Sequence, residues 1–205
     1  KEINFLAKKY SNTPMLSRTH GQKASPTTFG KEMKVFSSRL KKQMENIDKR
    51  KIYAKMNGAV GNYNAHNFVL PNIKWDYETK KFLKKIGLHQ NEYTTQIENH
   101  DWLAESLNDI IIISGILLDF SKDIWIYIML DYIKQKNIAS EVGSSTMPHK
   151  VNPINFENAE GNLEILIGIC QTVSKKLITS RLQRDLSDST VLRNIGLIFA
   201  YFHIS

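Results

Sequence analysis

The chain has 205 residues, 41% of them hydrophobic and 23% charged, with 28 lysines and arginines against 20 aspartates and glutamates. That balance excludes a disordered polymer and fits a soluble globular protein of one large or two small domains. The formal net charge of +8 favours anionic partners. However, the lysines are scattered through Lys41-Lys42, Lys80-Lys81 and Lys84-Lys85 on polar helix faces. They come without an arginine-rich arm, an RNP-type aromatic motif or zinc-finger spacing, so nucleic acid is not the predicted partner.

A short helical start leads into an Asn12-Thr13-Pro14 turn and the polar cluster Ser17-Arg18-Thr19-His20-Gly21-Gln22. A histidine beside a glycine is commonly structural. Thr19 and Gln22 make a catalytic role plausible, since imidazole titrates near neutrality and needs neighbours to set its tautomer. Ser25-Pro26 reads as a helix entry. From Phe29 the apolar residues Met33, Phe36, Leu40, Met44 and Ile47 recur at three and four, which predicts a helix to about Tyr53. The small-residue run from Gly58 to His66 suits either close helix packing or the floor of a binding site. A short amphipathic helix is predicted around Tyr77–Ile86, stopped by Gly87. The polar segment Tyr93-Thr94-Thr95-Gln96-Ile97-Glu98 follows, in which Gln96 offers both a donor and an acceptor.

The longest predicted helix runs from about Trp102 to Ile133. Leu107, Ser114, Ser121 and Ile128 repeat every seven residues, and isoleucines and leucines occupy the other faces. A helix apolar on most sides must be buried on most sides, so burial against partner subunits in a helical bundle is expected. Its most apolar run, Ile110 to Leu118, spans nine residues and is too short to cross a bilayer.

Next comes GSSTMPHKVNP, Gly143 to Pro153, a polar glycine-opened loop. Asn152 reads as an N-cap with Pro153 at the first helical position, and the helix runs on to about Leu177. A hydroxyl, an ammonium and free backbone amides at a helix start would suit carboxylate chemistry; an ordinary surface loop is the alternative. Cys170, the single cysteine, sits in an apolar helix as a buried small hydrophobe. It rules out internal disulfides, fits a reducing compartment and makes the cytosol the default. The polar cluster from Ser180 to Thr190 precedes a helix resuming at Val191. Ser189 and Arg193 share a face at i and i+4, and Arg184 can fold over the same helix start. Together they make a phosphate site, unless the arginines pair with Asp185 and Asp188. No strand-period alternation of useful length is present, and the predicted fold is all-α. The chain lacks a starting methionine and ends within an apolar helical pattern at Tyr201–Ser205, so it is read as an internal piece of a longer protein.

SRTHGQ, TTQIE, GSSTMPHKVNPINFENAEGN and RDLSDSTVLRN, in this order and spacing, closely resemble the adenylosuccinate lyases of the fumarase/aspartase superfamily. Lys23 departs from the family, which usually carries proline after HGQ; this should alter the entry to the next helix. The resemblance implies a long-helix bundle completed by oligomerisation. Residues 1–180 would be the central domain of a tetramer and 181–205 its end, leading into a missing C-terminal part, with the N-terminal domain absent. It implies a β-elimination releasing fumarate from adenylosuccinate, giving AMP, and from the carboxamide intermediate SAICAR, giving AICAR, without cofactor or metal. By the same resemblance Ser144 is the base and His20 the acid. Lys150, Asn152 and the backbone amides up to Met147 hold carboxylates, and Gln96 the succinyl portion. Arg184, Ser189 and Arg193 hold the phosphate, with Thr19 close by. A further family histidine lies outside this piece. The alternatives are argininosuccinate lyase, fumarase or aspartase activity, or a non-catalytic structural member.

Overall fold

The computed structural model describes residues 1–135, 147 and 151–205. Their elements, in chain order, are α1 (Glu2–Lys9), β1 (Pro14–Thr19), β2 (Gln22–Thr28), α2 (Phe29–Asp48), β3 (Tyr53–Ala54), α3 (Asn64–Val69), α4 (Trp75–Lys85), β4 (His89–Gln90), α5 (Asp101–Met129), α6 (Ile154–Leu177), α7 (Ser187–Leu192) and α8 (Ile195–Ile204). The fold is dominated by helices, as expected. The chain divides into two compact units, one of residues 1–46, 112–164 and 204–205, the other of residues 47–111 and 165–203.

In the first unit, α1 carries Glu2 in its first turn and Lys8 and Lys9 in its last, the arrangement that the helix dipole favours. The helix predicted from Phe29 is α2. It is capped by Thr28, whose hydroxyl accepts from the Lys31 N–H at 3.2 Å. Its start is fixed by backbone bonds from Phe29 to Thr13 and from Gly30 to Tyr10. Gly30 is required there: a Cβ would come within 2.5 Å of the Ala7 carbonyl oxygen and the Ser11 backbone. Ala7, Phe29, Met33, Phe36, Ile116 and Ile124 form the buried core.

The sequence reading missed one feature of this unit. β1 and β2 pair antiparallel, with Met15 opposite Thr27 and Thr19 opposite Gln22, and a register shift between Leu16 and Arg18. Ser25 and Pro26 therefore lie in a strand, not at a helix entry. Lys23 is the strand partner of Arg18, so its effect falls on the hairpin rather than on the helix. Two causes hid the hairpin. Neither strand alternates apolar with polar residues, and the turn pair His20-Gly21 is not one of the usual hairpin dipeptides.

In the second unit, α4 has Asp76 and Glu78 in its first turn and Lys84 and Lys85 in its last. Gly87, at φ 81°, stops it. The Gly87 N–H bonds the Lys84 carbonyl and the Leu88 N–H the Leu83 carbonyl, which satisfies two end carbonyls of the helix. Leu107, Leu166, Cys170, Val173, Leu177 and Ile198 form this unit's core. Arg50 donates to Asp109 on α5 at 2.9 Å through Nε and also pairs with Glu105. β3 and β4 make a short parallel pairing. α6 begins within the first unit, at Ile154, with the Pro153 carbonyl accepting from Phe156 and Glu157, one residue later than the sequence suggests, and enters the second unit at Ile165. The helix expected to resume at Val191 is two: α7 begins at Ser187, and Arg193 and Asn194 separate it from α8.

Candidate functional site

In the first unit His20 occupies the tip of the hairpin. His20 (φ 53°) and Gly21 (φ 72°) both take left-handed backbone angles. That pair of angles is what a two-residue loop needs to match the twist of the strands it joins. The histidine is thereby held away from the strands and exposed, with Thr19 exposed beside it. Arg18 braces the tip. Its Nη1 donates to the Gly21 carbonyl at 2.8 Å, its Nε to the Tyr132 hydroxyl at 3.2 Å, and its guanidinium lies 5.7 Å from the Tyr132 ring centre. Met147 is exposed and Asn152 partly buried. Ser144 and Lys150, expected to supply the base and a carboxylate ligand, lie outside the described residues.

In the second unit the structure joins two stretches that are far apart in sequence. The Gln96 N–H donates to the Gln183 carbonyl at 3.3 Å, which sets the TTQIE segment beside Arg184. Arg184 Nη2 donates to Ser189 Oγ at 3.4 Å, so Arg184 does fold over the start of α7. Arg193 follows Ser189 by four residues and closes α7 in helical geometry (φ −62°, ψ −20°), which keeps the two on one face.

The carboxylates that could have neutralised these arginines are engaged elsewhere. Asp185 accepts from Ser187 and pairs with Arg181 at 3.1 Å. The Ser187 hydroxyl, then the Ser187 N–H, hold its carboxyl below the usual range, with smaller help from Lys176 and Arg181. Asp188 is buried and accepts from the Ser189 N–H at 2.7 Å. Among the described residues neither Arg184 nor Arg193 forms an ion pair. Both guanidiniums belong to exposed residues, and a guanidinium without a carboxylate partner is chemically suited to an anion.

Beside Asp188 lies a partly buried polar cluster that the sequence reading missed. His100 Nε2 is 3.8 Å from Asp188 Oδ2, and Nδ1 is 3.7 Å from Glu98 Oε2. Glu98 accepts from the His100 N–H at 2.8 Å, from Trp102 Nε1 at 3.1 Å and from Asn91 Nδ2 at 3.0 Å. His100 itself has φ 62°, an uncommon angle for a residue with a side chain. It thus ties the start of α5 to α7. Only its place just ahead of a long helix could have flagged it in the sequence.

A separate cavity of about 740 Å³ opens in the first unit, lined largely by apolar side chains including Leu6, Tyr10, Phe120, Ile128 and Phe156. None of the predicted site residues that the structure describes lines it. Among the described residues no helix is long and apolar enough to cross a membrane.

Comparison with known proteins first defines a class. The fold matches that of 3-carboxy-cis,cis-muconate lactonizing enzyme from Pseudomonas putida, with a TM-score of 0.77 over 99% of this chain and 45% of that one, at 21% identity. It also matches class II fumarase from Schistosoma mansoni, with a TM-score of 0.72 over 98% of this chain and 46% of that one, at 20% identity. At such identities the likeness is one of fold alone. The sequence is more specific: residues 1–170 match the lyase family Lyase_1, and the chain belongs to it. It is 55% identical over 199 residues to adenylosuccinate lyase from Legionella pneumophila (strain Corby), which covers 97% of this chain and 44% of that protein. It is 50% identical over 199 residues to adenylosuccinate lyase from Escherichia coli (strain K12), with the same coverage. The chain therefore spans less than half the length of these relatives.

Proposed function

We infer that this chain is the central part of an adenylosuccinate lyase, which releases fumarate from adenylosuccinate to give AMP and from SAICAR to give AICAR, in purine nucleotide biosynthesis in the cytoplasm. The observation that carries the reading is Arg184, set on Ser189 and next in sequence to the Gln183–Gln96 contact, with Arg193 four residues beyond Ser189 and neither guanidinium ion-paired among the described residues. A lyase acting on argininosuccinate, malate or aspartate has no phosphate to place there. The identity of 50–55% to adenylosuccinate lyases supports the same substrate.

The reaction breaks a C–N bond after removal of a proton from the carbon next to a carboxylate. Ser144 takes that proton. An ordinary hydroxyl is too weak a base, so it must be activated by Lys150 and by the backbone amides up to Met147. Those donors also hold the aci-carboxylate left behind. The electron pair then forms the fumarate double bond as the C–N bond breaks. His20 gives its proton to the departing nitrogen, and AMP leaves with a neutral amino group. Asn152 and Lys150 bind the succinyl carboxylates and Gln96 the succinyl portion, while Thr19 stands near the phosphate group. No cofactor or metal is required.

Residues 1–180 form the central domain and 181–205 its end, and the active protein is a homotetramer with shared sites. The exposed apolar positions of α5, Ile112 at 47% and Met129 at 58%, support burial by other subunits. Incubating the intact protein with adenylosuccinate and following fumarate tests the reading. Turnover of argininosuccinate or malate with none of adenylosuccinate would overturn it.

A further inference from the structure

The small-residue run from Gly58 to His66 and the lysine just before it take no part in the chemistry above, yet they form the floor beneath the Gln96 segment. Lys55 Nζ donates to three main-chain carbonyls: Gly58 at 2.7 Å, Thr95 at 2.9 Å and Gln96 at 2.8 Å. An ammonium has three N–H donors, and all three are used. Burial pushes its pKa below the ordinary lysine range, while three inward-facing carbonyl dipoles need a cation between them.

The rest of the floor is fitted just as closely. Asn57, at 1% exposure, accepts from the Thr94 hydroxyl at 3.0 Å and donates to the Glu92 carbonyl at 3.4 Å. Gly61 has φ 80°, and a Cβ there would lie 2.0 Å from the Thr94 carbonyl oxygen. Gln96 is consequently fixed through both of its main-chain groups, its N–H on Gln183 and its carbonyl on Lys55. Its side chain is exposed.

We propose that Lys55 is a positioning residue for Gln96, its ammonium gathering the carbonyls of Gly58, Thr95 and Gln96 so that the Gln96 amide meets the succinyl part of the substrate in one orientation. This rests on the reading of Gln96 as a substrate-binding residue. Arginine cannot replace this lysine, because a planar guanidinium cannot aim its donors at three oxygens gathered around one point. A neutral side chain would leave the three carbonyls facing one another unsatisfied.

The test is a double-mutant cycle on the intact enzyme with Lys55→Met, Gln96→Ala and the double variant. kcat/KM for adenylosuccinate is read alongside the affinity for AMP, which depends on Arg184, Ser189 and Arg193. Lys55→Met should lower kcat/KM by roughly 10- to 100-fold, the scale of a small misplacement of a positioned group. AMP affinity should stay within about twofold, and in the Gln96→Ala background the same change should add less than about threefold. Lys55→Arg, which keeps the charge, serves if the methionine variant does not fold and should show the same pattern. Equal losses of AMP affinity and kcat/KM would mean general loosening and overturn the proposal, as would full additivity with Gln96→Ala. If Gln96→Ala alone leaves kcat/KM unchanged, the assignment of Gln96 fails first, and Lys55 then has nothing to position.

Discussion

Arg184 and Arg193 differ from Arg181 in one respect that decides their use. Arg181 is paired with Asp185, whereas the other two form no ion pair among the described residues. A charge-assisted hydrogen bond to a phosphate is worth about 1.5–3 kcal/mol, roughly 10- to 100-fold in affinity. Arg193→Ala should therefore raise KM for adenylosuccinate by about that factor and leave kcat within a few-fold. An unmoved KM would remove the residue from the phosphate site. Ser144→Ala should instead lower kcat by several powers of ten with little change in substrate affinity, since a base acts only in the chemical step. Near-normal turnover would exclude Ser144 as the base. Cys170 is inert by the same kind of local reasoning: burial pushes its thiol up to about 11. At pH 8 only about a thousandth of it is thiolate, so alkylation should fail in the native protein and proceed once it is unfolded.

At the scale of elements, the site depends on places where the backbone of one segment lies directly against another. Gly30 is one of them, and its neighbours are backbone atoms of Ala7 and Ser11 that cannot swing aside. Gly30→Ala should cost about 1–3 kcal/mol by overpacking the junction of α1 and α2, visible as a lowered Tm. An unchanged Tm would show that the junction relaxes freely. The hairpin of β1 and β2 is another case. It holds His20 at its tip through two left-handed residues and the Arg18 brace. The motif around His20 was legible in the sequence, but its placement on a hairpin was not. The strands pair through backbone groups, and side-chain periodicity says little about such a pairing when both strands are short and half-covered.

At the scale of the whole molecule, the proposed tetramer rests on α5. Ile112, Trp125, Ile126 and Met129 are all at least 36% exposed, on a helix whose Leu107, Ile113, Ile116 and Ile124 are buried. Apolar surface of that kind is covered in a working protein, most simply by other copies of the chain. Sedimentation of the intact protein should show a tetramer, and Ile126→Lys should shift it towards smaller species. A monomer carrying full activity would contradict the shared-site reading.

The sequence alone determined the helical class, the positions of the main helices to within a few residues, and the family. Apolar spacing, caps and glycine stops are local, and local physics reads them directly. The long loop motif and the arginine cluster are contiguous in the chain, so they too were legible. Tertiary structure decided what distance along the chain conceals. It set Gln96 against Gln183, turned Arg184 onto Ser189, drew His100 between Glu98 and Asp188, and placed the Lys55 ammonium under three carbonyls. None of these contacts leaves a periodic trace in the sequence. Each depends on hydrogen-bonding groups that a compact chain must satisfy with whatever partner packing brings within reach.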